Sequence, residues 1–394
     1  MTHTTEAQRI LNACLEGRVW DDADLRTLIS SESPELFSVL AEGLSDRFEP
    51  RLGEAYADIF AQVIAAALHH YRPAELVERH RRVRRLRAFE GDAGRVRAVY
   101  VLSRVTLGAD VAVTSVLLDA AKKRFPSARI IFAGPEKGYE LFSADPRIEH
   151  LPVAYGRNGG LQDRIGVWQG VWDSASIVID PDSRITQLGL LPVCPEENYY
   201  FFDSRSWGGD GEESLGCLAR QWADEILGVA DARAFIAPAE RPEMAADIAV
   251  SLGVGENAAK IVPPPFEEGL LRFLAGRGSV IVDAGAGGEE AERVRRAIGG
   301  CGGRVETWTG SFAGFASILS RSRLYAGYDS AGQHVAAACG VPLVSIFAGY
   351  PCGRFCQRWR PAGAGPAEVV RVWPGESPAS VLARTLAALT HLPA

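Results

Sequence analysis

The hydrophobic pattern of the 394-residue chain changes near residue 90. Before that point apolar residues recur at spacings of three and four, which predicts helices and no strand. The positions are Leu11, Leu15, Leu25, Leu28, Ile29, Leu36, Leu40, Phe60, Ile64 and Leu68. From Val96 onward, the β-branched runs RVRAVYVLS and ARIIFAG flank a stretch with helical spacing, VAVTSVLLDAAKKRF. This order is typical of a β-α-β unit with parallel strands.

A second α/β series follows residue 232, where strand-like runs such as GSVIVDAG, SRLYAGYDS and VPLVSIFAG alternate with helical stretches. One hydrophobic core rarely serves a chain of this length. We therefore predict an α/β protein with an α-helical region at 1–92 and two Rossmann-like, doubly wound domains at 93–232 and 233–394. The two domains would face a ligand-binding cleft. We expect the last helix, SVLARTLAAL, to stay on the second domain or to pack back on the first.

Charge and cysteine usage exclude several classes of protein. Lys and Arg number 42 against 49 Asp and Glu, a net charge of −7, which argues against nucleic acid as a partner. Seven scattered cysteines form no disulfide framework and favour a reducing compartment. The first residues lack a signal-peptide pattern, and no apolar run reaches the ~18 residues of a membrane span. We expect a cytoplasmic protein.

A basic run, RHRRVRRLR at 79–87, ends the helical region. It could meet acidic lipid of the inner membrane, a phosphorylated carrier or an acidic partner. The alternative is a linker helix whose charges face water.

A carboxylate stands between the first strand and its helix, in Leu107-Gly108-Ala109-Asp110-Val111. Such a group can cap free backbone amides at a helix start. It also lies where a substrate hydroxyl approaches the carboxyl edge of a parallel sheet. Both interpretations stay open on this pattern alone.

A second strand-to-helix junction, GYDSAGQH, contains Asp329, Ser330 and His334. Its small residues let a ligand approach the backbone donors and the positive end of a helix, which suits a diphosphate. Ser330 and Gln333 also fit an S-x-x-Q capping box.

Two weaker patterns remain. In VIVDAGAGGEE, Gly287 and Glu289 would suit a ribose diol, although a plain glycine turn into a helix explains the same residues. Cys352 and Cys356 would supply half a zinc site, but no second Cys or His pair accompanies them, so we predict no metal and no cofactor.

Taken in order, SR-x-x-LGADV-x-x-TSVLLDA and the distant GYDSAGQHVAAACGVPLVSIF resemble the heptosyltransferase family, glycosyltransferase family 9, over roughly residues 96 to 385. The resemblance implies a GT-B fold and an inverting, metal-independent transfer of a sugar from a nucleoside-diphosphate donor, ADP-heptose in the best-known members. It implies Asp110 as the general base. The donor diphosphate would lie at Asp329, Ser330, Ala331, Gly332 and His334, with His334 as an imidazolium.

The acceptor would be a hydroxyl of a glycan, glycolipid or protein. We expect Arg104, Arg184, Arg205 and Trp207 on the acceptor side, because arginines hold anions and aromatic faces stack on sugars. The neighbouring run Tyr199-Tyr200-Phe201-Phe202 would line the same side or pack in the core.

Two other functions stay open. The family has a Gly-rich turn, a lysine and then Trp-Pro in its middle segment, whereas AAKIVPPPFEEGLL here contains only Lys260. This difference and the added helical region favour a GT-B protein that binds a nucleotide sugar without turning it over. A sugar-nucleotide epimerase is the third hypothesis.

Overall fold

The computed structural model describes residues 5–153, 155, 163, 175–255, 257–285, 287–301 and 305–392. It confirms the α/β prediction, with two parallel sheets preceded by helices. The first sheet has the strand order β3-β2-β1-β4-β5. Its strands are β1 Ala98–Leu102, β2 Arg129–Gly134, β3 Ile148–Pro152, β4 Ser176–Asp180 and β5 Tyr199–Phe201. Because all pairings are parallel, the carboxyl ends of the strands share one edge of the sheet.

The N-terminal helices form one layer of this first half. They are α1 Glu6–Leu15, α2 Asp22–Ser30, α3 (a π-helical turn Leu36–Ala41 continued by Glu42–Ser45), α4 Pro50–Ala67 and α5 Pro73–Val83. Proline at the first position of α4 and α5 favours a helix start, because that position has no hydrogen bond to lose. The buried side chains of these helices share a core with Leu102, Val178 and Phe201 of the sheet. The helical region therefore covers one face of the first sheet.

The other face of the first sheet carries the helices of the α/β series. We name α6 the continuous stretch made of Leu107–Ala109, a π-helical turn Asp110–Thr114, and Ser115–Arg124. Short helix α7 spans Glu136–Tyr139, and α8 spans Leu215–Leu227. Leu117 and Leu118 of α6 and Trp222 of α8 are buried with Val99 and Val101 of β1. The alternation of β1 side chains between the two cores follows from the period of a strand.

The second sheet has the order β11-β10-β9-β6-β7-β8. Its strands are β6 Ile248–Ser251, β7 Val280–Asp283, β8 Val305–Trp308, β9 Leu324–Tyr328, β10 Leu343–Phe347 and β11 Ala367–Arg371. Its helices are α9 Phe266–Ala275, α10 Gly288–Ile298, α11 Phe312–Leu319, α12 Ala331–Cys339, α13 Gly353–Trp359 and α14 Pro378–His391. Val381 and Leu389 of α14 lie in the core of this sheet, so the expectation that the last helix packs back on the first half is wrong.

Helix α13 is one of the elements that join the two halves. The buried Arg358 guanidinium donates hydrogen bonds to the carbonyl oxygens of Glu213 at 2.8 Å and Gly209 at 2.9 Å, in the loop after β5. On the opposite side, Phe355 and Trp359 lie 6.4 and 6.3 Å from the ring of Phe48, between α3 and α4. One short helix thus contacts the loop after β5 and the N-terminal region together.

Two loops at the carboxyl edge of the first sheet have strained backbones. Val105, after β1, has a φ of 72°, which is unusual for a β-branched residue. After β4, Asp182, Gln187 and Leu188 have φ values of 68°, 49° and 57°. Conformations of this kind cost about 1–3 kcal/mol each and persist only when the surroundings fix them.

The N-terminal helices fix the loop after β4. The Arg79 guanidinium donates to the carbonyl oxygen of Gly189 at 2.8 Å. The His80 ring lies 3.1 Å from the carbonyl oxygen of Leu188. Because Arg79 and His80 are both buried, these contacts are shielded from water, and the strained loop depends on the helical region.

The basic run 79–87 is mostly engaged within the chain. Arg82 pairs with Glu196 at 2.7 Å, and Arg84 pairs with Asp203 at 2.6 Å. The interpretation as a linker helix facing water is therefore wrong for Arg79, His80, Arg82 and Arg84, which dock the helical region onto the first half, whereas Arg81 and Arg85 do face water. A membrane contact through this run stays a prediction. Within the described residues, no helix combines the length and apolar character needed to cross a bilayer.

The contact between the helical region and the loop after β4 should weaken in acid. Burial, together with the positive charge of Arg84, lowers the pKa of His80 from 6.5 to about 4. Between pH 6.5 and 4, His80 binds a proton in the unfolded chain but not in the folded protein. Protonation of His80 therefore reduces the free energy of unfolding as the pH falls through this range. We expect urea unfolding of the wild type to lose more stability between pH 7 and 5 than that of His80→Gln. His334 also has a lowered pKa, but it is present in both proteins and contributes equally to both losses. Equal losses in the two proteins would therefore contradict the role of His80.

Candidate active site

Asp110 lies within α6 and is buried. Its Oδ2 accepts a hydrogen bond from Ser103 Oγ at 2.7 Å, and its Oδ1 accepts from the Arg104 backbone N–H at 2.7 Å and Thr114 Oγ1 at 2.8 Å. Burial raises the pKa of Asp110 to about 6, and these three hydrogen bonds oppose the rise. Thr106, not Asp110, precedes the helix, so the carboxylate does not cap the helix start. It joins the helix to the end of β1 instead.

Two of the predicted acceptor-side arginines are buried. The Arg104 guanidinium donates to the carbonyl oxygen of Pro181 at 2.9 Å and lies 5.6 Å above the ring of Trp359. Burial and the nearby Arg205 charge lower the pKa of Arg104 to about 10. Arg205 forms an ion pair with Asp182 at 2.6 Å. Both arginines hold the loops at the carboxyl edge of the sheet.

The other two predicted residues are more open. Arg184 is partly exposed and has a 3.9 Å contact with Glu42 of the helical region. Trp207 is partly exposed and packs edge-on against Phe202, with ring centres 6.0 Å apart. The aromatic run 199–202 is buried along β5 and just beyond it, so the alternative of core packing is confirmed for these rings.

The start of α12 differs from the expected capping box. Ser330 occupies the N-cap position but makes no side-chain bond to the helix, and its buried Oγ has no partner in the described part of the chain. The Gln333 side chain donates to Asp329 Oδ1 at 2.6 Å and accepts from Ser345 Oγ at 2.5 Å. The capping box prediction is therefore wrong, because tertiary partners hold Gln333.

Lys260 brings a positive charge to the same place. Its Nζ donates to Asp329 Oδ2 and to the Asp329 carbonyl oxygen, both at 2.9 Å. In the sequence, Lys260 is the single lysine of the segment AAKIVPPPFEEGLL, and no local pattern gives it a role. The contact joins residues 69 apart in the chain, so only the tertiary fold shows it.

His334 is buried in the first turns of α12. Burial lowers its pKa from 6.5 to about 4, so the ring is neutral at pH 7. The expectation of an imidazolium at this site is wrong. A neutral ring can still give one hydrogen bond, while the positive charge comes from Lys260.

The two halves meet between Asp110 and this helix start. A Cβ added at Gly108 would lie 3.2 Å from His334 Cδ2 and 3.3 Å from Ala331 Cα, so a larger residue would press on the neighbouring backbone. Glycine therefore permits the close approach of α6 to α12. The structure brings together the helix carrying Asp110 and the residues Asp329, Ser330, Ala331, Gly332 and His334.

The predicted ribose residues lie at the end of β7. Gly287 has a φ of 92° and precedes α10, and Glu289 is exposed in the first turn of that helix. Glu290 points inward instead, where its Oε1 accepts from the Val254 backbone N–H at 2.7 Å. A role of Gly287 and Glu289 in binding ribose stays a prediction.

Cys352 and Cys356 lie at the start of α13 and within it. No group of three or more His, Cys, Asp or Glu side chains that could hold a metal occurs among the residues that the structure describes.

Two doubly wound parallel sheets in contact across such a junction define the GT-B fold, as predicted. The solved structures similar to this chain share that fold. Glycosyl transferase family 9 from Veillonella parvula DSM 2008 has 18% sequence identity and a TM-score of 0.54, covering 75% of this chain and 97% of its own. E. coli heptosyltransferase WaaC, solved with ADP, has 16% sequence identity and a TM-score of 0.52. The match covers 74% of this chain and 99% of WaaC.

A third similar structure is the E. coli ADP-heptose lps heptosyltransferase II, with 16% sequence identity and a TM-score of 0.50. The match covers 75% of this chain and 99% of that protein. No protein-family model matches the sequence. Comparison with curated proteins gives no significant match. At these identities, the similarity establishes the fold.

Proposed function

We propose that the protein is an inverting, metal-independent glycosyltransferase that moves a sugar, a heptose in the first instance, from an ADP-linked donor to a hydroxyl acceptor on a glycan, glycolipid or protein. The observation that carries this proposal is the junction at Gly108, where the helix bearing Asp110 meets the start of α12. The similar E. coli protein WaaC was solved with ADP and with ADP-2-deoxy-2-fluoro heptose.

The leaving diphosphate would bind at the start of α12. The backbone N–H groups and the helix dipole there favour an anion. Lys260 adds a positive charge, and the buried hydroxyl of Ser330 is a donor without a partner in the described residues. Asp329 positions Lys260 through its 2.9 Å contact. Donors placed where negative charge develops stabilise the transition state more than the ground state.

Asp110 would take the proton of the acceptor hydroxyl. Attack by that oxygen on the anomeric carbon, from the face opposite the diphosphate, forms the new glycosidic bond, breaks the bond to the diphosphate and inverts the anomeric configuration. A carboxylate with a pKa near 6 is ionised at pH 7 and still basic enough to help. Proton transfer requires the acceptor to reach an oxygen that now accepts from Ser103 or Thr114.

The donor site is tested by nucleotide binding. A ligand specific for the folded state stabilises it by about 2.7 kcal/mol at 100 times its Kd, so ADP should raise the melting temperature. We expect ADP to give a larger shift than UDP, GDP or CDP. Lys260→Met should weaken ADP binding at least tenfold, because it removes the charge beside Asp329.

Lys137→Met is the matched control, since Lys137 is exposed on α7. The proposal fails if ADP gives no shift, or if the two lysine variants bind ADP equally well.

A second candidate is a protein that binds a nucleotide sugar without transferring it. The three hydrogen bonds that already occupy the buried Asp110 carboxylate favour it. Chromatography of products from the nucleotide sugar that binds best, with and without a broad acceptor panel, separates the two. ADP release supports the enzyme, and binding without turnover supports the second candidate.

A further inference from the structure

A groove lies at the outer edge of the first sheet, where residues 82–87 pass beside β5. It has a volume of about 410 Å³ and is lined by this segment, by Glu196, Glu197 and β5, and by Trp222 and Ile226 of α8. Cavities of this size hold small ligands. We call it the strap groove. The residues that form it are not those that form the junction at Gly108.

The rim of the strap groove contains three arginines in different situations. Arg82 is paired with Glu196 at 2.7 Å. Arg87 donates to the carbonyl oxygen of Glu197 at 2.7 Å and lies 4.8 Å above the ring of Tyr200. Arg85 is exposed, and its guanidinium makes no hydrogen bond or ion pair to any side chain among the described residues. Its donors are therefore available to a ligand.

Aromatic side chains of β5 and of Trp222 form much of the groove wall. Trp222 is 1% exposed, and its indole N–H has no acceptor in the described part of the chain. The N–H is itself shielded, so Trp222 contributes its ring, and not a donor, to the wall of the groove. At the rim, Leu86 keeps 55% of its surface exposed, an unusual state for a large apolar residue beside a cavity.

The combination of groups narrows the class of ligand. Two carboxylates, Glu196 and Glu197, would repel a ligand that is purely anionic, whereas they can accept hydrogen bonds from hydroxyl groups. The guanidinium of Arg85 can donate two parallel hydrogen bonds, which matches the geometry of a carboxylate or phosphate. Apolar and aromatic walls suit the C–H faces of a sugar ring.

We propose that the strap groove is a second ligand site, which binds a saccharide carrying one acidic group, either a carboxylate or a phosphate. Arg85 holds the acidic group, Glu196 and Glu197 accept from ring hydroxyls, and Leu86 and Ile226 contact the ring. The site does not depend on the proposed function, because it shares no residue with the donor site. A glycosyltransferase would use it to hold part of a saccharide acceptor away from the reacting hydroxyl.

Calorimetric titration of the full chain tests the site with four probes: glucose 6-phosphate, glucuronic acid, glucose and inorganic phosphate. We expect one or both of the acidic sugars to bind, and to bind at least tenfold more tightly than glucose or inorganic phosphate. The phosphate and carboxylate arms identify which acidic group the site prefers. Equal affinity for inorganic phosphate would overturn the proposal, because it would show a simple anion site.

Arg85→Ala should weaken binding of the acidic sugar at least tenfold, and Arg81→Ala should leave it unchanged. Both substitutions remove one exposed arginine from the same segment, but Arg81 does not line the groove. An equal loss in the two variants would show a general effect of charge and overturn the proposal.

Two further measurements separate the saccharide site from the donor site and from a membrane-binding surface. ADP binding should be the same in Arg85→Ala and in the wild type, so a failure of the donor site leaves this test intact. Vesicles of phosphatidylglycerol test a membrane as the partner. Vesicle binding that requires Arg85, without binding of either acidic sugar, would overturn the saccharide site.

Discussion

Asp110→Asn should lower the rate of ADP release from the ADP-linked donor by about 100- to 10,000-fold, the contribution typical of a general base. Asparagine has nearly the same size and keeps an oxygen that can accept from the Arg104 N–H. It cannot take up a proton from the acceptor hydroxyl. The rate is measured as ADP release by coupled assay, with water or a sugar as the acceptor.

The pH profile gives an independent readout of the same residue. The base must be ionised, so the wild-type rate should fall as the pH drops below about 6, where burial places the pKa of Asp110. Asp92→Asn is the matched control, because Asp92 is exposed and asparagine also serves at its N-cap position. If Asp110→Asn still binds ADP and keeps both the wild-type rate and its acid limb, Asp110 is not the base.

Phe48→Ala should lower the free energy of unfolding by about 3–5 kcal/mol, as expected for a fully buried phenylalanine. Phe48 is 1% exposed and contacts Phe355 and Trp359 of α13, so its loss leaves a cavity where the helical region meets the second half. Phe48 has a φ of 58°. Alanine retains the Cβ, and the backbone strain is the same in both proteins.

Urea unfolding measures this loss. Val19→Ala is the control within the same region, because Val19 is 91% exposed and should change stability by less than about 0.5 kcal/mol. A loss below about 1 kcal/mol for Phe48→Ala would mean that the contact between α13 and the helical region is not a stable part of the fold.

The sequence predicts the alternation of strands and helices where an apolar run marks the strand locally, but it does not single out β6 Ile248–Ser251. Apolar runs such as VYVL and LVSIF become the buried strands β1 and β10. The strand-to-helix junctions at Asp110 and Asp329 follow from the same alternation, and parallel strands place such junctions at one edge of each sheet.

The details of the site depend on contacts that no local pattern contains. Ser330 and Gln333 have the spacing of a capping box, but Asp329 and Ser345 hold the Gln333 side chain. Lys260 reaches Asp329 across 69 residues. The charge of His334 depends on its burial, which only the packed structure reveals.

The position of Phe48 also governs how the chain can fold during synthesis. The adjoining Arg47 carbonyl oxygen contacts Cys352, which lies 305 residues later in the sequence. Contacts between such distant residues slow folding, because the intervening chain must be ordered first. The helical region is made early and can bury its face on the first sheet, but the Phe48 ring stays without its partners until α13 is made. A nascent chain therefore exposes an aromatic side chain through most of translation, and aggregation should be most pronounced in fragments that end before α13.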